Sequence, residues 1–335
     1  ELRISSFIFP ISFDNLTNLV KLDCSFCTNI KSINLPQLIH LICNESNIRE
    51  VNHLTSLRTL ICNSCLITNI DLPNITELNC GFSSITNIAY STTLIKLEYK
   101  YTKLRYIYAP NLEYLNCHSC VIENIADLTN LKTLYYYVFH DDAVNITNIC
   151  FPKLEELHTN QIINVDNLPS LKILEARDII ECNGLSRLEK LICKNDDYIK
   201  NNPVPLFSKL TSLKELQLTS FRNIDKLEFP NLLSLNCYAC RNITNVNNMI
   251  YLTKLDCSNT PIAYIDLPLL QELKCENTNI SQVNHLLQLR ILECSNCFIK
   301  EIALPYLEAL TCTKTDITDF SKLPSLKFLF CGWYN

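Results

Sequence analysis

The sequence predicts a repeat solenoid, α/β in class, of mostly short parallel β-strands with extended or 3-10 return segments and little α-helix. Three observations carry that expectation. One motif recurs along almost the whole chain at intervals of about 18 or 19 residues, its apolar spacing changes from two to three within each unit, and proline opens many of the units.

The motif reads Leu-Pro-x-Leu-x-x-Leu-x-Cys-x-x-(Cys/Ser/Thr)-x-Ile-x-x-Ile. Leu35, Pro36, Leu38, Leu41, Cys43, Ser46, Ile48 and Val51 form one copy, and Leu54, Leu57, Leu60, Cys62, Cys65, Ile67 and Ile70 form the next. A third follows at Leu72, Pro73, Ile75, Leu78, Cys80, Ser83, Ile85 and Ile88, and the frame returns at Leu267, Leu286, Leu304 and Leu323. About seventeen such units fit. No linker or composition shift divides them, so residues 1–335 read as a single domain, with irregular repeats around 135–209.

Within a unit, Leu-x-Cys alternates with period two, as a short strand does when one face is buried. The Ile-x-x-Ile that follows belongs to the return path. A lone unit this small cannot bury its Leu/Ile edge, so neighbours must stack as a parallel sheet. Units of this length leave no room for a long helix, and Pro36, Pro73, Pro268, Pro305 and Pro324 oppose one at the start of the unit.

These residues resemble the leucine-rich-repeat superfamily, and the resemblance covers nearly all of the chain. It implies a curved solenoid whose strands line a concave face that usually binds proteins. The stretches Leu128 to Leu134 and Ile146 to Ile149 are similar to internalin-type repeats, although the units here are shorter. The Cys-rich, Asn/Ile-rich style is closer to repeat proteins of giant amoeba-infecting DNA viruses or of protists. Two departures stand out: Cys largely replaces the third Leu, and Cys, Ser or Thr replaces the Asn.

Cysteine is abundant, with 19 residues. Cys24, Cys43, Cys62, Cys80, Cys117, Cys193, Cys237, Cys257, Cys275, Cys294, Cys312 and Cys331 occupy the third-Leu position, which points inward. Cys27, Cys65, Cys120, Cys240 and Cys297 take the turn position, and Cys150 and Cys182 lie outside the frame. The resulting Cys-x-x-Cys pairs have a spacing that elsewhere signals zinc or redox chemistry. Here the strand register accounts for them, and many units carry Ser or Thr instead of the second Cys. The preferred reading over zinc or disulfides is a ladder of small apolar thiols, with the turn Cys, Ser or Thr donating to a backbone carbonyl. So many unpaired thiols predict a reducing compartment, the cytoplasm or a virion assembled there.

Residues flanking the inward Leu and Cys face solvent and are free to carry specificity. In the middle of the array they include Lys96, Lys100, Tyr114, His118, Tyr135, Tyr137, His158 and Arg177, a composition typical of interface hot spots. The bland alternative is compositional drift on a tolerant surface. The insertions near Tyr136 to Asp142 and Lys194 to Lys209 are either functional loops or neutral ones. His140, Asp141, Asp142 and His158, or Asp196 and Asp197, could be grouped as acid/base or metal sets, but nothing fixes their geometry. No Gly-rich phosphate loop, nucleophile elbow or His-Glu-x-x-His is present, and three glycines offer few close backbone approaches.

The expectation is therefore a non-catalytic module or scaffold, without a cofactor or metal, that recognises a protein partner through its concave face. The alternative is a structural component of a larger assembly such as a giant-virus particle, contacting neighbours through its ends and convex edge. A net charge of −5 with mixed signs supplies no basic stripe, so nucleic acid is not expected, and no apolar run is long enough for a membrane span. Apolar residues at both ends, Leu2 and Ile4 at one and Phe328, Leu329 and Phe330 at the other, predict capping by another subunit or by further sequence.

Overall fold

The structure, a computed structural model, describes the chain apart from residues 7–12, 14–15, 138–145, 147–148, 161, 165–167, 177, 182–184, 195–209, 223 and 333–335. It forms two compact units, Glu1–Gln161 with Asn167–Leu171, and Ile162–Asp166 with Lys172–Asn335.

Each unit is a parallel β-solenoid. The ladder of the first unit runs through Leu2–Arg3, Lys21–Asp23, His40–Ile42, Thr59–Ile61, Glu77–Asn79, Lys96–Lys100, Tyr114–His118, Thr133–Tyr136 and Glu156–Thr159. The ladder of the second runs through Ile173–Ala176, Lys190–Lys194, Glu215–Thr219, Ser234–Asn236, Lys254–Asp256, Glu272–Lys274, Ile291–Glu293, Ala309–Thr311 and Phe328–Phe330.

Register is the same at every described step, with leucine opposite leucine. Leu22, Leu41, Leu60 and Leu78 are successive Cα partners in the first unit, as are Leu235, Leu255, Leu273 and Leu292 in the second. These leucines are buried, while the residues on either side are half-exposed or exposed. A slip of one residue would put the whole leucine row in water, which is why the pairing is so uniform.

The return path is extended and turned. Its described regular elements are a 3-10 turn at Ile125–Asp127 and two short parallel pairs, Asn69–Ile70 with Asn87–Ile88 and Ile162–Asn164 with Asp178–Glu181. Proline acts at one defined place. In Leu35-Pro36-Gln37-Leu38 it fills the second position of a β-turn closed by Leu38 N–H donating to the Leu35 carbonyl at 3.0 Å. Its fixed φ suits that position, and its missing N–H is not needed there.

The inward cysteines are core residues. Cys24, Cys43, Cys62, Cys80, Cys117, Cys193, Cys237, Cys257, Cys275, Cys294 and Cys312 are all buried, and burial pushes the Cys62 and Cys117 thiols well above the ordinary thiol range. Cys331 departs from the expectation: it is exposed, as is the whole Phe328–Phe330 strand beside it. No described rung beyond them covers that side of the strand. At the same core slot Tyr99, Tyr136, Leu218, Thr159 and Ala176 replace cysteine and are also buried.

The turn cysteines donate to carbonyls, as the sequence predicts, but those of the preceding repeat. Cys65 Sγ reaches the Cys43 carbonyl at 2.8 Å and Cys297 Sγ the Cys275 carbonyl at 2.7 Å. Ser and Thr in the same slot instead bond the carbonyl three residues back in their own strand: Ser83 to Cys80 at 2.6 Å, and Thr278 to Cys275 at 2.7 Å. The longer C–S bond and larger sulfur let Cys span the gap between rungs. The Cys43 thiol, and secondarily Ser46, hold Cys65 down to about 6 against the effect of burial. Reactivity there is limited by access, not by protonation.

Beyond the core slot thirteen described repeats make a left-handed turn. All thirteen described non-glycine residues with positive φ, from Ser6 to Lys314, occupy one repeat position, two after the core slot. This conformation lets the ladder gain one more hydrogen bond, as when Phe82 N–H meets the Lys100 carbonyl, before the chain leaves the sheet. It costs an ordinary L-residue about 1–2 kcal/mol, and least for Asn.

Two outcomes follow. Tyr99 is fully buried and its hydroxyl has no hydrogen-bond partner among the described residues. Tyr99→Phe should therefore raise stability by about 1 kcal/mol in urea unfolding, and an unchanged or lower midpoint would show that the hydroxyl is satisfied. In native protein treated with an alkylating reagent and mapped by mass spectrometry, Cys150 and Cys331 should label first. Cys43, Cys62, Cys65 and Cys80 should label only on unfolding, and early labelling of these four would contradict the inward ladder.

Candidate functional site

Alternation along each strand places one set of side chains in the core and the other on an outward strand face. In the first unit Lys96, Lys100, Tyr114, His118, Tyr135, Tyr137 and His158 all lie on that face and are half-buried. Arg177 lies outside the described residues, as do His140, Asp141, Asp142, Asp196 and Asp197.

In-register stacking brings the rings together. Lys96 lies opposite Tyr114, Lys100 opposite His118, and Tyr135 opposite His158. Two rows result. In the first, Lys96 Nζ sits 5.1 Å from the centre of the Tyr114 ring, Tyr114 and Tyr135 have centroids 5.9 Å apart, and Tyr135 stacks on His158 at 4.2 Å with planes 8° apart. In the second, Phe82 stacks on Tyr101 at 4.9 Å, Tyr101 meets His118 at 5.5 Å, and His118 meets Tyr137 at 5.7 Å. Separations in this range are those of favourable aromatic pairs, which contribute about 0.5–1.5 kcal/mol each beyond area burial.

Phe82 and Tyr101 were not among the residues singled out from the sequence. They follow the strand, where period-two alternation no longer applies, and they sit in the left-handed turn position at φ 55° and 53°. Their exposure, 60% and 51%, exceeds that of the strand-face rings, so they form the outer margin of the aromatic surface. The available signal was their place in the repeat frame, two residues after Cys80 and Tyr99.

The electrostatics of this surface are uneven. Lys96 is held by Glu98 at 2.8 Å, and the other oxygen of Glu98 accepts from Asn79 at 3.3 Å. The hydrogen bond to Glu98 raises the Lys96 pKa. Lys100 has no ion pair among the described residues. Burial and then Lys100 lower the His118 pKa from its ordinary value and so favour the neutral ring. Burial and then Glu98 push the Tyr114 phenol up, which keeps its hydroxyl a donor.

The strand face of the second unit differs. There the charges answer one another between rungs: Lys254 with Glu272 at 2.9 Å, Lys274 with Glu293 at 2.8 Å, and Lys190 with Glu215 at 2.8 Å. Exposed pairs of this kind contribute little to stability, and they need no outside partner. The recess beside the aromatic rows, lined by Glu77, Asn79, Lys96 and Glu98, holds about 60 Å³, far below the roughly 300–1,000 Å³ of small-molecule sites. The surface is suited to broad contact.

No protein-family model matches the chain, and no curated protein sequence is significantly similar to it. Solved structures are similar. A leucine-rich-repeat protein of Leptospira interrogans aligns with a TM-score of 0.68 at 19% identity, over 96% of this chain and 92% of that one. Mouse RP105, solved as a complex with MD-1, aligns with a TM-score of 0.61 at 16% identity, over 94% of this chain and 71% of that one. The functional domain of InlJ from Listeria monocytogenes, which includes a cysteine ladder, aligns at 0.56 and 23% identity, over 78% of this chain and 68% of that one. The fold is thus the leucine-rich-repeat solenoid that the motif predicts.

The Lys100 effect can be measured directly. Lys100→Gln should raise the His118 titration midpoint observed by NMR, since one source of its depression is removed. No movement would mean that the two groups do not face each other in solution.

Proposed function

We propose that the chain is a binding module that holds a protein partner on the strand face of its first unit. The observation that carries this reading is the pair of contacting rows, Lys96, Tyr114, Tyr135 and His158 beside Phe82, Tyr101, His118 and Tyr137. Rigid aromatic residues supply large contact area at small entropic cost and are enriched at hot spots, where one truncation typically costs about 2 kcal/mol or more. Here the backbone ladder fixes them before any partner arrives, so little further ordering is needed on binding. The role is recognition without catalysis. RP105, similar in fold, was itself solved in a protein complex.

A second reading makes the chain a structural part of a larger assembly, such as a giant-virus particle, contacting its neighbours away from the strand face. The feature that favours it is the parallel, exposed Tyr106–Tyr108 stack on the return path, with centroids 6.3 Å apart.

Replacing Tyr114, Tyr135 and Tyr137 together by alanine separates the two. Partners that co-purify with the wild type from its native source should be lost from the variant, with affinity reduced at least about thirtyfold. Retention of the same partners would defeat the strand-face reading and favour assembly through the return side.

A further inference from the structure

The left-handed turn position is filled in most repeats by small or polar residues. In the second unit it holds Asn259, Asn277 and Asn296 on consecutive rungs, the residue type that accepts positive φ most readily after glycine. In the first unit it holds Phe26 and, on adjacent rungs, Phe82 and Tyr101, although bulky residues are the least suited to it; Phe82 and Tyr101 stack on each other. Their rings lie outside the core and contact each other, so core packing does not explain them. Residues kept in costly backbone conformations cluster at sites of function.

Charge supplies the second observation. Lys100 adjoins both residues: its carbonyl accepts from Phe82 N–H, and Tyr101 follows it in the chain. Across the ladder it pairs in register with His118, whose ring contacts both Tyr101 and Tyr137. Glu98, the acidic residue on the same strand and face, is already engaged by Lys96 and Asn79. The surface thus presents an unmatched cation beside a second group that can become cationic, framed by aromatic rings on both sides.

We propose that Phe82, Tyr101, Lys100, His118 and Tyr137 form a subsite for an extended acidic peptide segment of the partner. Lys100 and His118 receive an Asp or Glu carboxylate, and the flanking rings receive an adjacent apolar side chain. A desolvated carboxylate needs a hydrogen-bonded cation such as Lys100, and its own charge would raise the His118 pKa and favour the second cation. A single-stranded nucleic acid would also use rings and cations, but its successive phosphates need repeated positive charge. Here Lys96 and Lys100 are interrupted by Glu77, Glu98 and Glu156, so no row of positive charge runs along the rungs. The proposal rests on the strand-face reading above and deepens it.

The test is selection of a phage-displayed random dodecapeptide library on the wild-type chain. Synthetic peptides made from the enriched sequences are then titrated by fluorescence polarisation, alongside the oligonucleotide dT12. Enriched peptides should carry Asp or Glu next to an aromatic or aliphatic residue. Lys100→Gln should weaken them about tenfold or more. The double variant Phe82→Asn with Tyr101→Asn should weaken them by a similar factor while its melting temperature stays unchanged or rises, since Asn relieves the turn. Selection of basic or uncharged peptides, or binding unaffected by Lys100→Gln, would overturn the acidic subsite. So would tighter binding of dT12, or a marked fall in melting temperature, which would make the two rings structural. If enriched peptides bind equally to the Tyr114, Tyr135 and Tyr137 triple-alanine variant, the strand-face reading itself fails. If they lose that binding but ignore Lys100→Gln, only the subsite fails.

Discussion

The structure depends on one constraint: each strand pairs in parallel and in register with the next, so each repeat position lies over its own counterpart. Inside, this turns leucine and cysteine into continuous rows, and the inward thiols such as Cys62 and Cys117 are tolerated side by side because burial keeps them protonated and they are apolar and small. Outside, it puts side chains of equal repeat position within reach of one another. Tyr135 and His158 stack at 4.2 Å because each is the residue after the inward leucine.

The same constraint separates the two strand faces by chemistry. Where neighbouring rungs alternate Lys and Glu, as at Lys254 and Glu272, the face closes on itself through ion pairs. Where neighbouring rungs carry rings, as at Tyr135 and His158, the rings contact one another. Rigidity is common to both, because the backbone ladder and not the side chains fixes the spacing.

The turns show how much the backbone asks of a sequence with only three glycines. Positive φ is met by Ser, Asn, Glu, Ala, Lys, Phe and Tyr, each bearing part of the conformational cost for one additional ladder hydrogen bond. Choosing Phe82 and Tyr101 where Asn would serve the fold better is a local conflict between stability and something else, and such conflicts are expected at functional surfaces.

Much of this was legible in the sequence. Period two in Leu-x-Cys identified which residues face inward, from Leu41 and Cys43 to Leu292 and Cys294, and hence which of Lys96, Tyr114, His118, Tyr135 and His158 face out. The reading passed over Phe82 and Tyr101, which lie past the strand where periodicity lapses, and it placed Cys331 inward where no described rung covers it. What the sequence determined is register, because a single-residue slip inverts every side chain and the pattern forbids it. Only the tertiary structure decided which rings touch, which carbonyl Cys65 or Ser83 reaches, and that the Tyr99 hydroxyl is left unpaired among the described residues. Those outcomes turn on separations of an ångström or less between rungs, and a repeat pattern carries no information at that scale.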